Sequence, residues 1–297
     1  MAGQSQALNP SDRVPLIRRA VPSDAAVCGK ICFEAFGTIA NRHNFPPDLP
    51  NADVSIGILS MMFSHPGFYC VVADQGGKII GSNCLDERTP IAGVGPITVD
   101  PATQNRAAGR QLMKAVMDRA AERRFVGVRL VQAAYHNRSL SLYAKLGFVV
   151  REPLSCMQGS AIQKNPAGYR VRAAQGEDLA ACNDLCLRVH GHDRGGELKD
   201  AIQQGTVVVA ESRGRITAYA TSLAFFGHAV AETNEDLQAL IATATEFQGP
   251  GILVPTRNAA LFRWCLENGL RLVQPMTLMT LGLYNEPAGA YLPSISF

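Results

Sequence analysis

The stretch that decides the fold is residues 95–148, GPITVDPATQNRAAGRQLMKAVMDRAAERRFVGVRLVQAAYHNRSLSLYAKLGF. Its pattern predicts a strand, a turn of small residues, an amphipathic helix, a second strand and a second helix. The turn at residues 104–110 leads directly into the first helix, so that the free backbone amides of a helix N-terminus lie there among few side chains. We infer an anion site that suits a diphosphate, because these amides lie at the positive end of the helix dipole and Arg106 and Arg110 add positive charge beside them.

Three short motifs in this stretch share their order and spacing with one known family. They are a Val-Asp-Pro before the turn, a Gln-x-x-Ala-x-Gly loop within it, and a Tyr followed four residues later by Gly-Phe: Val99-Asp100-Pro101, then Gln104, Ala107 and Gly109, then Tyr143 and Gly147-Phe148. On these motifs the chain resembles the GNAT family of acetyl-CoA-dependent N-acetyltransferases. The resemblance implies an α/β (α+β) fold in which a mixed, mostly antiparallel sheet is flanked by helices.

The chain departs from the family pattern at two positions. Ala107 stands where the family usually has Gly, and the alanine is tolerable if this residue has a helical φ, since only its N–H is needed. His136 stands where the family often has Asn, with Asn137 beside it.

The resemblance also implies the cofactor site and its chemistry. Acetyl-CoA would be the co-substrate, with no metal, and main-chain amides would hold its pantetheine, polarise the thioester carbonyl and bind the pyrophosphate. Tyr143 would protonate the departing CoA thiolate as general acid; the alternative for Tyr143 is a core aromatic residue. The cofactor-binding residues are then Ile97, Thr98, Val99, Gln104, Asn105, Arg106, Ala107, Ala108, Gly109, Arg110 and Asn137.

The resemblance implies a general base on the long strand, where many members of the family have a Glu, but the strand at residues 91–97 carries no carboxylate, so the base cannot be assigned from the sequence. The candidates are Asp86, Glu87, His136 and His43, and a water chain or an already neutral amine is an equal alternative. In the family, the segment between the first two helices lines the acceptor site. Here that segment is residues 38–50, in which His43 and Phe45 are the predicted substrate contacts; alternatively, its three prolines stiffen a surface loop.

The chain also repeats itself, which predicts two tandem GNAT-like domains. Three sequence patterns of the first half recur in the same order in the second half. Cys28 and Cys32 correspond to Cys182 and Cys186, and residues 71–74 and 77–79 correspond to 208–211 and 214–216. The third pattern, Asn137, Leu140, Tyr143 and Gly147, corresponds to Asn258, Leu261, Trp264 and Gly269. The second copy has Glu232, Glu235 and Asp236 where the first has its anion loop, and Trp264 where the first has Tyr143. Since carboxylates repel a diphosphate, we expect no CoA site there.

The predicted organisation is a disordered tail at residues 1–13, an acetyl-CoA-binding GNAT domain at 14–155, a linker at 156–168 and a degenerate GNAT-like domain at 169–297. In the first domain, the patterns predict strands at 16–19, 68–73, 78–83, 91–99 and 127–133, and helices at 23–36, 109–123 and 139–146.

Composition limits the partners. A net charge of +3 without a basic run argues against nucleic acid, and no apolar stretch reaches the length of a membrane helix. Residues 1–10 do not resemble a secretory signal, and the eight cysteines fit buried, reduced thiols, so we expect a cytoplasmic protein. We expect it to be a monomer or a homodimer. His190-Gly191-His192-Asp193 predicts a solvated turn rather than a metal site.

The sequence thus favours an N-acetyltransferase that acts on the primary amine of a small molecule. Two alternatives stay open: an acetyltransferase of protein or peptide amines, and a non-catalytic sensor or scaffold that binds acetyl-CoA. The acyl group itself is not fixed by the sequence, so that propionyl or succinyl transfer stays open too.

Overall fold

The computed structural model describes residues 14–103 and 107–296. The predicted tail at 1–13 and three residues of the predicted anion loop, Gln104, Asn105 and Arg106, lie outside the described residues. The elements of the first repeat are, in chain order, β1 (Leu16–Arg19), α1 (Ala25–Arg42), α2 (Ala52–Ser64), β2 (Phe68–Gln75), β3 (Lys78–Asp86), β4 (Ile91–Val94), β5 (Thr98–Val99), α3 (Ala108–Glu122), β6 (Gly127–Ala133), α4 (Asn137–Lys145) and β7 (Val149–Gln158).

The second repeat follows the same order, except that one strand stands where the first repeat has β4 and β5, and one further strand is added at its end. Its elements are β8 (Arg170–Ala173), α5 (Asp178–His190), α6 (Gly195–Gln203), β9 (Val208–Ser212), β10 (Arg215–Ala220), β11 (Ala229–Ala231), α7 (Asn234–Thr243), β12 (Ile252–Pro255), α8 (Ala259–Glu267), β13 (Arg271–Gly282) and β14 (Ala290–Leu292). The mixed sheets flanked by helices are as predicted. The domain limits at 155/156 and 168/169 stay a prediction.

The first helix is longer than the sequence pattern predicts. It runs to Arg42 instead of ending at residue 36, because Ala40 continues the buried face of the helix beyond Gly37. It ends where Asn44 takes a left-handed φ of 59° and the Phe45 N–H donates to the Ala40 carbonyl at 3.0 Å. The first residues of the predicted loop at 38–50 therefore belong to α1, and the segment between α1 and α2 is residues 43–51.

The strand predicted at 91–99 is two strands separated by a bulge, so that prediction is wrong in detail. β4 ends at Val94, Gly95 has a φ of 138°, and Pro96 has no N–H to donate. Pairing with β3 resumes at Thr98. The bulge changes the direction of the chain at the point where the cavity described below begins.

The two repeats share one sheet by exchanging their last strands. The strand order is β1-β2-β3-β4-β6-β13-β7-β12, with β13 of the second repeat between β6 and β7 of the first. β7 in turn pairs with β12 of the second repeat. The remaining strands of the second repeat form a separate sheet in the order β14-β11-β10-β9-β8. Neither repeat therefore completes its own sheet.

A repeated ion pair supports the internal duplication. Arg18 binds Asp24 through two hydrogen bonds of 2.7 and 3.0 Å, and the Val21 N–H donates to the same carboxylate at 2.9 Å. At the corresponding place in the second repeat, Arg172 binds Asp178 at 2.6 and 2.9 Å. In each pair the hydrogen bonds from the arginine hold the pKa of the carboxyl below its usual value.

Asp24→Asn is expected to lower the free energy of unfolding by about 1–3 kcal/mol at pH 7, because it removes the nearer of the two carboxylates that bind the Arg18 guanidinium and leaves only Asp74 at 3.4 Å. Since the native pKa of Asp24 is lowered, the pair stabilises fully above about pH 4 and loses its effect as the pH falls through the native pKa. Urea unfolding at pH 7 and pH 3 should therefore show a deficit that shrinks in acid. Asp118→Asn, in an exposed pair with Lys114, should cost less than about 0.5 kcal/mol. A deficit independent of pH would contradict this account.

The cysteines lie inside the protein. All eight are free and buried, and Cys28 and Cys32 lie on the buried face of α1, as Cys182 and Cys186 do on α5. Burial raises the pKa of the Cys28 and Cys32 thiols to about 12, so both are neutral at ordinary pH. Among the described residues, no helix is both long and apolar enough to cross a membrane.

Candidate active site

The site is built on the divergence of two parallel strands. β4 pairs with β6 only from Ile91 to Gly93, and beyond that point the two strands separate. A cavity of about 590 Å³ lies in the opening. We call its two parts the cofactor end, lined by residues of β5, the start of α3 and α4, and the acceptor end, lined by α1, α2, the segment before α2 and residues of the second repeat. Both ends are lined mostly by apolar residues.

The start of α3 forms one wall of the cofactor end. Ala107 precedes the helix with a left-handed φ of 61°, so the helical φ under which an alanine would be tolerated without strain is not the one it has. This conformation costs a residue with a Cβ about 1 kcal/mol and explains why a glycine suits the position. Ala107 has no side-chain oxygen, so no side chain of its own caps the first amides of the helix. Those amides and the helix dipole favour an anion.

The structure brings most of the described, predicted cofactor residues together. The residues that line the cavity are Ile97, Thr98, Val99, Ala107, Ala108, Gly109 and Arg110. Asn137 opens α4 but is exposed and is not among the lining residues; its neighbours His136, Arg138 and Ser139 are. The role assigned to Asn137 is therefore the least supported of the set.

Tyr143 of α4 lies at the inner edge of the cavity. Its side chain is buried, and its ring centroid is 6.2 Å from that of Phe148. Gly147 has a φ of 94°, which turns the chain after α4 and brings Phe148 back beside the tyrosine. Burial raises the pKa of Tyr143, so its hydroxyl stays protonated at neutral pH and can act as a donor.

The acceptor end differs from the sequence prediction. His43 and Phe45 are not among its lining residues; instead, both lie against Tyr135, whose ring stacks on Phe45 at 4.1 Å between centroids. Tyr135 itself lines the cavity, as does Asp48 a few residues further along the same segment. The two predicted contacts thus support the wall rather than form it.

The candidate bases are scattered. Asp86 pairs with Arg88, and Glu87 with Arg119 at 2.7 Å, and neither carboxylate is among the residues that line the cavity. His136 does line the cavity, and burial lowers its pKa, which keeps it neutral. Its carbonyl starts α4 by accepting from the Leu140 N–H at 3.2 Å.

In the second repeat the corresponding opening is filled by the chain itself. β14 pairs with β11 in the antiparallel direction and also packs against β12, so the strand occupies the gap between them. The start of α7 is closed by its own side chains: the Thr233 hydroxyl accepts from the Asp236 N–H at 3.2 Å, and the Asp236 carboxylate accepts from the Thr233 N–H at 3.0 Å. In the second repeat, therefore, both the gap between the strands and the first amides of the helix are occupied by the chain's own groups.

The second repeat also contributes to the cavity, which the sequence did not indicate. Its contributions are Phe225, Phe226, Met276, Ile295 and Ser296. Asp48 was missed as well, because an acidic residue in a proline-rich loop suggests a solvated turn. The signal that could have found Asp48 is its place inside the predicted acceptor segment, directly before an apolar Leu49.

Comparison with known proteins agrees with this geometry. Residues 38–148 match the family model described as the acetyltransferase (GNAT) family. The matched residues lie within the first repeat, from the end of α1 to Phe148. No curated protein matches the sequence.

Solved structures extend the likeness to the whole chain. A Pyrococcus horikoshii protein described as an acetyltransferase is 18% identical with a TM-score of 0.70, over 97% of this chain and 98% of that one. A GCN5-related N-acetyltransferase from Sphaerobacter thermophilus is 15% identical with a TM-score of 0.59, over 95% and 98%. A tandem GNAT protein from the clavulanic acid biosynthesis pathway is 14% identical with a TM-score of 0.56, over 90% and 98%. The chain therefore has the tandem GNAT fold.

Proposed function

We propose that this protein is an acetyl-CoA-dependent N-acetyltransferase that acts on the primary amine of a small molecule, with a single cofactor site in its GNAT-family domain. The observation that carries the proposal is the continuous cavity that links the start of α3, which the Ala107 side chain does not cap, to the Tyr143 side chain and the acceptor end. A cofactor site, a donor and an acceptor site are the three parts that direct acetyl transfer needs.

Each part has a role in the proposed reaction. The amides at the start of α3 bind the pyrophosphate of acetyl-CoA, and residues 97–99 bind its pantetheine and polarise the thioester carbonyl. The amine attacks that carbonyl directly. Tyr143, protonated because burial raises its pKa, donates its proton to the departing sulfur.

A small acceptor is favoured over a protein by the walls of the acceptor end. Phe225 and Ile295 of the second repeat line the same cavity as residues of α1 and α2, and the Ile295 N–H donates to the Phe225 carbonyl at 2.9 Å. Because these walls are mostly apolar, they suit a compact, apolar guest. The second repeat thus helps to form the acceptor site instead of binding a second cofactor.

Titration calorimetry with acetyl-CoA tests the proposal first. We expect one site per chain, followed by release of free thiol when a panel of primary amines is added. Two sites per chain would contradict the filled second repeat, and the absence of binding by the folded protein would overturn the proposal.

A further inference from the structure

One carboxylate lies in the apolar wall of the acceptor end. Asp48 belongs to the segment between α1 and α2, next to the buried Leu49, and is the one acidic residue among the described residues that line the cavity. The other side chains of this end are mostly aliphatic or aromatic: Phe36, Ile39, Ile58, Phe225, Phe226 and Met276. A negative charge in an apolar wall is unfavourable unless a hydrogen-bond donor or a cation compensates for the lost hydration.

The second repeat holds this carboxylate in place. The side-chain N–H of Gln274, a buried residue of β13, donates to Asp48 Oδ1 at 2.5 Å. Gln274 Oε1 in turn accepts from the Tyr135 hydroxyl at 3.2 Å. The carboxylate therefore has a fixed position that depends on both repeats.

The second carboxylate oxygen is left for a guest. Across residues 14–103 and 107–296, no donor reaches Asp48 Oδ2 and no cationic side chain forms an ion pair with Asp48. Burial raises the pKa of Asp48, and the hydrogen bond from Gln274 offsets that rise only in part. A cation placed at Oδ2 would stabilise the charged form, and a partly desolvated pair of this kind contributes strongly to binding.

We infer that Asp48 binds the ammonium group of the acceptor and accepts its proton, and that the acceptor is a primary amine carried on an apolar body. This inference rests on the proposed acetyl transfer, because it assigns the acceptor side of the same site. It also supplies the base that β4 lacks.

The proton transfers balance. Asp48 takes one proton from the ammonium, which leaves a neutral amine with a free electron pair. That pair forms the C–N bond to the acetyl carbon, while the C–S bond breaks and the sulfur keeps its electrons. Tyr143 gives its proton to the sulfur and regains one, through solvent, from the nitrogen. Asp48 then releases its proton to water, so the products are an amide, a thiol and one proton.

Asp48→Asn isolates the charge, because the asparagine oxygen can still accept the hydrogen bond from Gln274. The probes are 2-phenylethylamine and its uncharged counterpart 2-phenylethanol, titrated calorimetrically in the presence of CoA, which carries no acetyl group. The wild type should bind the amine about 10-fold or more tightly than the alcohol, and D48N should bind the two within about 2-fold. Unchanged CoA affinity checks the fold, and Asp48→Ser repeats the test if the amide disturbs it.

The outcomes separate this inference from the proposed function. A wild type that does not prefer the amine, or a D48N protein that keeps the preference, overturns the assignment of Asp48. With acetyl-CoA, D48N should lower kcat/KM for 2-phenylethylamine by about 100-fold. Equal turnover by both proteins sinks the inference and leaves the proposed function standing. If the amine binds in a way that depends on Asp48 but no thiol is released, the proposed function is wrong, and so is the role of Asp48 as proton acceptor. The assignment of Asp48 as an ammonium site would then remain.

Discussion

Gly109→Asp is expected to weaken acetyl-CoA binding by about 100-fold or more. Gly109 lies in the first turn of α3, where the amides have no side-chain cap from Ala107. A carboxylate there would bind the free amides itself and repel the diphosphate, and two charges 4 Å apart near a protein surface interact by about 4 kcal/mol. Titration calorimetry of the two proteins under the same conditions measures the effect.

The same position offers a matched control. A Cβ added at Gly109 would meet Val99 Cγ2 at 3.8 Å, which is ordinary contact, so the fold should accept a small side chain. Gly109→Ala should bind acetyl-CoA within about 3-fold of the wild type and gain up to about 1 kcal/mol of stability from the higher helix propensity of alanine. If G109A fails as badly as G109D, the loss comes from shape rather than charge, and the anion site is misassigned.

The local patterns predicted most elements of the first repeat, because each has a clear period. α3 was predicted at 109–123 and lies at Ala108–Glu122, since its buried residues Leu112, Met113 and Val116 recur at helical spacing. The exchange of β7 and β13 could not be predicted. Both strands carry buried apolar residues at their centres, and such a pattern fixes which face is buried but not which copy of the repeat supplies the neighbouring strand.

The histidines after α5 show a second limit of local reading. The sequence predicts a solvated turn there, but His190 and His192 are both buried, and the ring of His190 lies 5.2 Å from that of Tyr291. Tyr291 belongs to β14, which returns to this place about a hundred residues later in the chain. Burial lowers the pKa of both histidines, so they are neutral core residues. A polar motif next to a glycine looks solvated until the distant strand that covers it is known.

The two ends of the cavity differ in the same way, since one is built from residues close in sequence and the other from residues far apart in the chain. At the cofactor end, residues 97–99 and 107–110 are neighbours in sequence, and α4 follows soon after them, so its motifs were visible in the sequence. The acceptor end joins Asp48 to Gln274, residues that are far apart in the chain and meet only because β13 crosses into the first repeat. Sequence spacing cannot express that contact, which explains why the general base was open and His43 and Phe45 were the predicted contacts.

Tyr143→Phe should leave acetyl-CoA affinity within about 3-fold of the wild type and lower kcat by about 100-fold. The substitution keeps the ring that packs against Phe148 and removes only the hydroxyl. Without that donor the thiolate leaves unprotonated, and a positioned general acid typically contributes 10²–10⁴-fold, about 2.7–5.4 kcal/mol. Calorimetry measures the first quantity and release of free thiol the second.

The second repeat provides the control for this experiment. Trp264 occupies the place in α8 that Tyr143 has in α4, and it packs against the core of the second repeat. Trp264→Phe should therefore change kcat by less than about 3-fold, since it removes no acid from the active cavity. A sensor or scaffold would bind acetyl-CoA equally well in all three proteins and release no thiol in any. If the Tyr143→Phe protein instead turns over at the wild-type rate, Tyr143 is not the general acid, and the leaving thiolate takes its proton from water.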